Sequence, residues 1–215
     1  MTISDAERRE RQKYIGASDV SALFGYNLFA RPLDVYKSKV EPLGEDSTGR
    51  ATWIGNHLEP AIITMLEDKL ECYINQPETA IHANQILAAN LDGQVTSYKW
   101  GSKAQEEPAV IECKSEGFTG EPPGRTEKND WGRGGSGNVP EKVMLQTQAQ
   151  MACTGYNHAI IGLLDGYRGK GLRVYRVKRN DKLIRQIILT VEYFWKTYIL
   201  TKTPSPEDMV YVRPK

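Results

Sequence analysis

Only three cysteines occur in the 215 residues, Cys72, Cys113 and Cys153, and no two of them form a Cys-x-x-Cys pair. That scarcity argues against a zinc site, a disulfide framework and an iron–sulfur cluster, and it fits a reducing cytoplasm. An excess of one charge is also missing: 28 Lys and Arg stand against 27 Asp and Glu, a formal net charge of +1. The sum therefore offers no argument for a polyanionic partner, and distribution becomes the better guide. No apolar run is long enough to cross a bilayer. The longest, residues 187–200, is interrupted by Thr190, Glu192, Lys196 and Thr197. The first thirteen residues are charged and lack the apolar stretch of a secretion signal. Internal repeats are absent as well.

The chain does contain enough apolar residues, 40% against 26% charged, to build one sizeable core. A short helix is expected at 18–25, with Ser18 as N-cap and Gly25 as terminator. Pro32 suits the first position of a second helix. Ile54, Leu58, Ile62, Leu66 and Leu70 recur at near-helical spacing and predict a long helix over about 51–71, with a kink or break at Pro60. From 72 to 115 short apolar runs with turn signals read as an antiparallel meander. Residues 117–138 are rich in Gly, Pro and charge and read as a mobile loop. Pro140 opens a helix ending near Gly155, 158–164 and 172–178 read as paired strands, and 181–200 as a closing helix. An extended tail is expected after Thr201. This order predicts a single α/β domain with a mixed sheet flanked by helices.

The chemistry concentrates at Ala109-Val110-Ile111-Glu112-Cys113-Lys114. Side chains alternate along a strand, so Glu112 and Lys114 share a face and Cys113 points the opposite way. Placing a carboxylate and an ammonium on one buried face is costly unless they serve each other or a metal. Asp92, at a turn opening another strand, adds a second acid, and Glu59 on the long helix a third. Lys142, Gln146 and Gln150 recur every four residues and form a polar stripe on one helix. Asp92, Glu112 and the carbonyl of Cys113 are oxygen donors of the kind magnesium prefers, and Glu59 would hold a second ion. Two ions about 3.5–4 Å apart clamp the attacking and leaving oxygens of a displacement at phosphorus. Lys114, with an ordinary pKa near ~10.4, is better suited to orienting water and offsetting charge than to acting as a base. Each residue has an ordinary alternative: a solvated ion pair on an edge strand, an exposed helical acid, a turn-former, a wet helix face. Their joint occurrence favours the site.

These residues resemble an ordered set of motifs. The chain is similar to phage-type exonucleases of the lambda exonuclease and YqaJ viral recombinase family, within the PD-(D/E)xK nuclease superfamily. The resemblance runs from about Arg11 to Pro206. It starts at Tyr14-Ile15-Gly16-Ala17-Ser18-Asp19-Val20 and continues through Gly25-Tyr26-Asn27, Pro32-Leu33, Gly55 to Glu59, Leu91-Asp92-Gly93 and Ile111 to Lys114. It ends in Val139-Pro140 and Leu145-Gln146-Thr147-Gln148. It implies a restriction-endonuclease-like core, with Asp92 and Glu112 binding Mg²⁺ (Mn²⁺ as a substitute), Glu59 supporting the second ion, Lys114 as catalytic lysine and Gln146 in the site. It further implies that Ser18, Arg11 and Asn90 grip a 5′-terminal phosphate; Asn90 stands where close relatives often carry Ser. Residues 117–138 form an insertion particular to this chain.

The activity implied is Mg²⁺-dependent 5′-to-3′ digestion of linear double-stranded DNA, leaving 3′ single strands for a single-strand annealing recombinase. A ring-shaped homotrimer and a bacterial, phage or prophage setting come with the same resemblance. Two other readings stay open: an endonuclease on the same fold, and a non-catalytic DNA-binding assembly module. The basic stretch 167–185, with eight bases against Asp181, suits either phosphate contacts or a solvated hairpin edge.

Overall fold

The computed structural model describes residues 4–44, 49–100, 107–118, 131–167 and 171–206. The chain begins with helix α1 (Asp5–Arg11), whose N-cap Ser4 and Glu7 exchange capping bonds. Strand β1 (Ile15–Gly16), a 3₁₀ turn (Ala17–Asp19), α2 (Val20–Leu23) and α3 (Pro32–Val40) follow. The long helix α4 (Arg50–Leu70) leads into β2 (Cys72–Asn75), β3 (Ala80–Ile81), β4 (Leu87–Ala89), β5 (Gly93–Tyr98) and β6 (Ala109–Glu116). Helix α5 (Glu141–Thr154) then crosses to β7 (His158–Asp165), and β8 (Gly171–Lys178) and α6 (Asp181–Phe194) complete the fold.

The principal sheet has the order β2-β5-β6-β7-β8. Only β6 and β7 pair in parallel, because α5 carries the chain back between them; the other pairs are antiparallel. This is the mixed sheet expected. The single meander expected over 72–115 divides in two: β3 and β4 leave it to join β1 in a separate three-stranded sheet, with β1 and β4 parallel. Contacts between β1 and β4, whose paired residues Ile15 and Leu87 are 72 positions apart, carry no local signal.

The strand alternation of β6 sorts the two cores. Val110 lies in the larger cluster, with Leu145 and Ala149 of α5 and Ile184, Ile187 and Val191 of α6. Ala109 and Ile111 lie in the other, with Ile62 and Leu66 of α4. Helix α4 approaches the sheet at Gly162, where a Cβ would stand 2.8 Å from Leu66 Cδ1 and 2.9 Å from Ile62 Cγ2. Among the described residues no helix is long and apolar enough to cross a membrane.

Three local expectations change. The helix does not break at Pro60, which sits inside α4. Burial of Ile62 and Leu66 outweighs the helix penalty of about 3 kcal/mol for proline. Pro60 still cannot donate to the carbonyl of Asn56, four residues back. Ser18 does not cap a helix: it lies within the 3₁₀ turn, and α2 begins at Val20 without a side-chain cap. The closing helix becomes π-helical at Trp195–Ile199, and the wider turn lets Tyr198 and Ile199 both face the core. The expected loop at 117–138 and the tail after Thr201 lie partly outside the described residues.

Gly162 gives a direct test of the α4 docking. Replacing it with Val should lower stability by ~1–3 kcal/mol through overpacking against Leu66 and Ile62. Urea denaturation should show a reduced midpoint with an unchanged m-value.

Candidate functional site

Glu112 is the first polar member of the eight-residue strand β6 and is almost fully buried, 1% exposed. It lies on the Val110 face of β6, toward α5. Gln146 and Gln150, one helical turn apart on α5, both reach it: Gln146 Nε2 donates to Oε1 at 2.7 Å and Gln150 Nε2 to Oε2 at 2.5 Å. The Lys114 ammonium pairs with the same carboxylate and donates to Gln146 Oε1 at 3.2 Å. The buried charge is thus held by one cation and two amides, as a desolvated carboxylate requires. The orientation of Gln150 follows, because only its N–H₂ can face a carboxylate. That leaves Gln150 Oε1 buried and without a donor among the described residues.

Asp92 arrives from the turn between β4 and β5. Its position depends on Gly93, where a Cβ would stand 2.5 Å from Ile74 Cγ2 of the neighbouring strand. Asp92 Oδ2 accepts the backbone N–H of Cys113 at 2.7 Å. The ladder from β5 to β6 covers only Ala109 to Ile111, so beyond it this edge of β6 is available to Asp92. A strand residue sends its N–H and C=O to the same edge, which puts the Cys113 carbonyl on the Asp92 side too. The Cys113 thiol points away among the apolar residues packed against α4, and burial pushes its pKa up.

A hollow of about 290 Å³ adjoins this arrangement. Its lining includes Arg11, Ser18, Asn56, Glu59, Asn90, Asp92 and Gln146. The residues expected to grip a phosphate therefore border one space with two of those expected to hold metal, Glu59 and Asp92; Glu112 and Cys113 are not in its lining. Glu112 and Lys114 connect to it through Gln146. The Thr79 hydroxyl donates to Asn90 Oδ1 at 2.6 Å, which leaves the Asn90 amide N–H₂ to donate elsewhere. Sequence reasoning missed Lys39, which also lines the hollow, and left Gln150 out of the site. Lys39 sits near the end of an ordinary polar helix, with no local mark separating it from a solvated lysine. Gln150 was visible as a member of the i, i+4 stripe.

The electrostatics are those of an acid-rich pocket. Burial, and then the Glu112 charge, raise the carboxyl of Asp92 well above the ordinary aspartate range. Glu59 is raised for the same two reasons in the same order. Burial disfavours the Lys114 ammonium, but Glu112 and Asp92 more than compensate and its pKa ends raised. Lys114 consequently stays charged at neutral pH, which suits charge compensation and not general-base work. Among the described residues no three His, Cys, Asp or Glu side chains form a ready metal cage. A hard cation that keeps several waters needs only one or two carboxylates. Asp92 and Glu112, the Cys113 carbonyl and the orphan acceptor Gln150 Oε1 are all oxygens, and the clustered acids have charge for a cation to neutralise. The donor set fits magnesium or manganese.

The raised acids fix the sign of a pH effect. A carboxyl raised in the folded state keeps its proton there while the unfolded chain has lost it. Stability is therefore present at low pH and falls as pH rises from the ordinary carboxylate range through the raised values of Asp92 and Glu59. Asp92→Asn should raise the metal-free thermal midpoint at neutral pH, by about 2–4 °C per kcal/mol of repulsion relieved. It should also flatten the decline with pH, as measured by calorimetry at a series of pH values.

Comparison with known proteins bears on the family and the fold. The profile of the YqaJ-like viral recombinase domain matches residues 8–157. The chain is 24% identical over 197 residues to the uncharacterized protein YqaJ of Bacillus subtilis (strain 168), covering 89% of this chain and 55% of that protein. It thus spans about half the length of that curated relative. Among solved structures, it is similar to the alkaline exonuclease LHK-Exo from Laribacter hongkongensis, with a TM-score of 0.68 and 18% identity over 93% of this chain and 94% of that one. The same protein has been solved in complex with dAMP. A phage related exonuclease from Haemophilus somnus 129PT matches with a TM-score of 0.59 and 12% identity, over 88% of this chain and 95% of the other. At these identities the structural likeness speaks for the fold, whereas the domain match covers well over half of the sequence. The chain belongs to the YqaJ-like viral recombinase domain family.

Proposed function

We propose that this protein is a magnesium-dependent nuclease that digests linear double-stranded DNA from 5′ ends and leaves 3′ single strands. One observation supports the reading above the others: Arg11, Ser18 and Asn90 share a single hollow with Glu59, Asp92 and Gln146. A site with a phosphate grip beside an acid-rich centre suits a strand end better than a strand interior. The names of the two structural relatives, both exonucleases, point the same way.

In this reading Asp92, Glu112 and the Cys113 carbonyl hold the first cation, with Glu59 supporting a second. Bound there, the metal would polarise the scissile phosphate and lower the pKa of an attacking water. Lys114, charged and tied to Glu112 and Gln146, positions that water and offsets negative charge developing on phosphorus oxygens. Gln146 and Gln150 keep the Glu112 carboxylate in one rotamer through donors to both oxygens. Arg11 supplies a forked cationic donor to the terminal phosphate, while Ser18 and Asn90 add neutral donors. We further propose that the chain acts as a homotrimer on DNA ends and passes its single-stranded product to an annealing recombinase in a bacterial cytoplasm. That part rests on family likeness.

Timed digestion of equal-length linear and covalently closed duplex with Mg²⁺ tests the reading. Linear DNA should shorten, the circle should persist, and EDTA should stop the reaction. Cleavage of the closed circle would establish an endonuclease instead. Lys114→Ala should slow nucleotide release by about 10²–10³-fold, the scale of losing one electrostatic stabiliser. Undiminished release would remove Lys114 from the chemistry.

A further inference from the structure

The Lys39 side chain is 6% exposed, and the residue borders the same hollow. Its ammonium lies 2.8 Å from Asp19 Oδ2 and donates to the carbonyl of Arg11 at 3.1 Å. Asp19 Oδ2 in turn accepts the Gly16 N–H at 3.0 Å. Lys39 therefore ties the end of α1, which carries Arg11, to the 3₁₀ turn, which carries Ser18. These are two of the elements expected to hold a phosphate.

An ammonium has three donors, and Asp19 and the Arg11 carbonyl account for two. This leaves a third donor on a residue that lines the hollow together with Arg11, Ser18 and Asn90. Taking a lysine and an aspartate out of water gains little net stability, so the pair has small value as a mere brace. Its placement also divides the charge of the hollow. Arg11 and Lys39, partly balanced by Asp19, supply positive charge on one group of elements. Glu59 and Asp92 supply negative charge on another.

We infer that Lys39 is a specificity residue for the 5′-terminal phosphate, donating to it directly and fixing Arg11 and Ser18 around it. The inference rests on the proposed nuclease reading and adds a fourth member to the grip. A phosphate entering the hollow meets a cation already desolvated and held in one geometry, so little is lost in ordering it. A charge-assisted bond of this kind corresponds to about 10- to 100-fold in affinity. Asp19 keeps the ammonium in place when no phosphate is present.

The test compares digestion of linear duplex bearing a 5′-phosphate with the same duplex bearing a 5′-hydroxyl, in Mg²⁺. The wild-type protein should favour the phosphorylated end. The double variant Asp19→Asn/Lys39→Met removes both charges together, so no buried ion is stranded and folding is spared. It should reduce that preference by about tenfold or more, with the change appearing in KM for the phosphorylated end and not in kcat. Lys39→Arg, which keeps the charge, should restore part of the preference. Independently of activity, inorganic phosphate should raise the wild-type thermal midpoint and leave that of the double variant unmoved. A double variant with the wild-type preference and the wild-type phosphate response would reduce Lys39 to a brace and overturn the inference. Equal digestion of both ends by the wild-type protein would overturn it too, while leaving the nuclease reading intact. Failure of the wild-type protein to digest either end would sink the nuclease reading itself, and this inference with it.

Discussion

A carboxylate held out of water on the central strand is the constraint around which this molecule is organised. Glu112 is buried almost as deeply as the Val110 that precedes it on the same face, and an isolated ion there would be prohibitive. Three side chains make it tolerable, and their origins define the local architecture. Lys114 must sit two residues on, so β6 has to remain regular through the site. Gln146 and Gln150 must project from consecutive turns of one helix, so α5 has to lie across that face at a fixed height. Because α5 is also the connection from β6 to β7, the parallel pair at the middle of the sheet and the coordination of Glu112 are one requirement. Apolar packing of Val143, Leu145 and Ala149 then supplies the burial that keeps the helix there.

Around this anchor the chain collects groups from five other places. The turn before β5 brings Asp92, α4 brings Glu59 and Asn56, α1 brings Arg11, the 3₁₀ turn brings Ser18 and α3 brings Lys39. Their signs are separated: cationic donors cluster where α1, α3 and the 3₁₀ turn are tied together, and carboxylates gather near β6. A phosphodiester end carries anionic oxygens at both its terminal phosphate and its first internucleotide link. A pocket with cationic side chains at one part and acids, the proposed metal holders, at another would answer both needs without a large net charge. The near-balance of bases and acids in the whole sequence is therefore consistent with the proposed substrate.

The legible part of this molecule was the part governed by short-range periodicity. The two-residue alternation of 109–114 separated Glu112 and Lys114 from Cys113, and the four-residue recurrence of 142, 146 and 150 placed a polar stripe on α5. Both patterns are local, and both describe the structure. The motif order also pointed to the right family. Illegible were relations set by distant packing. Nothing near Ile15 indicates a partner at Leu87, so the small sheet was hidden inside an apparent meander. Asp19 was expected within a helix led by Ser18, yet its carboxylate instead ties Gly16 to Lys39, twenty residues away. A break at Pro60 was one of two expectations, the other a kink, because propensity cannot weigh the burial of Ile62 and Leu66 against it.

The short link between the two sheets has a further consequence. Asn90 and Asp92 lie two residues apart, in the connection from the last strand of the small sheet to the first central strand of the large one. Two residues of extended chain span at most about 7 Å, and Gly93 beneath Ile74 pins one end of that link. In the proposed reaction this stretch behaves as a ruler, with one mark on the strand terminus and the other on the bond to be cut. On that proposal the backbone would set the size of the piece released, and successive turnovers would return pieces of the same length whatever bases they carry.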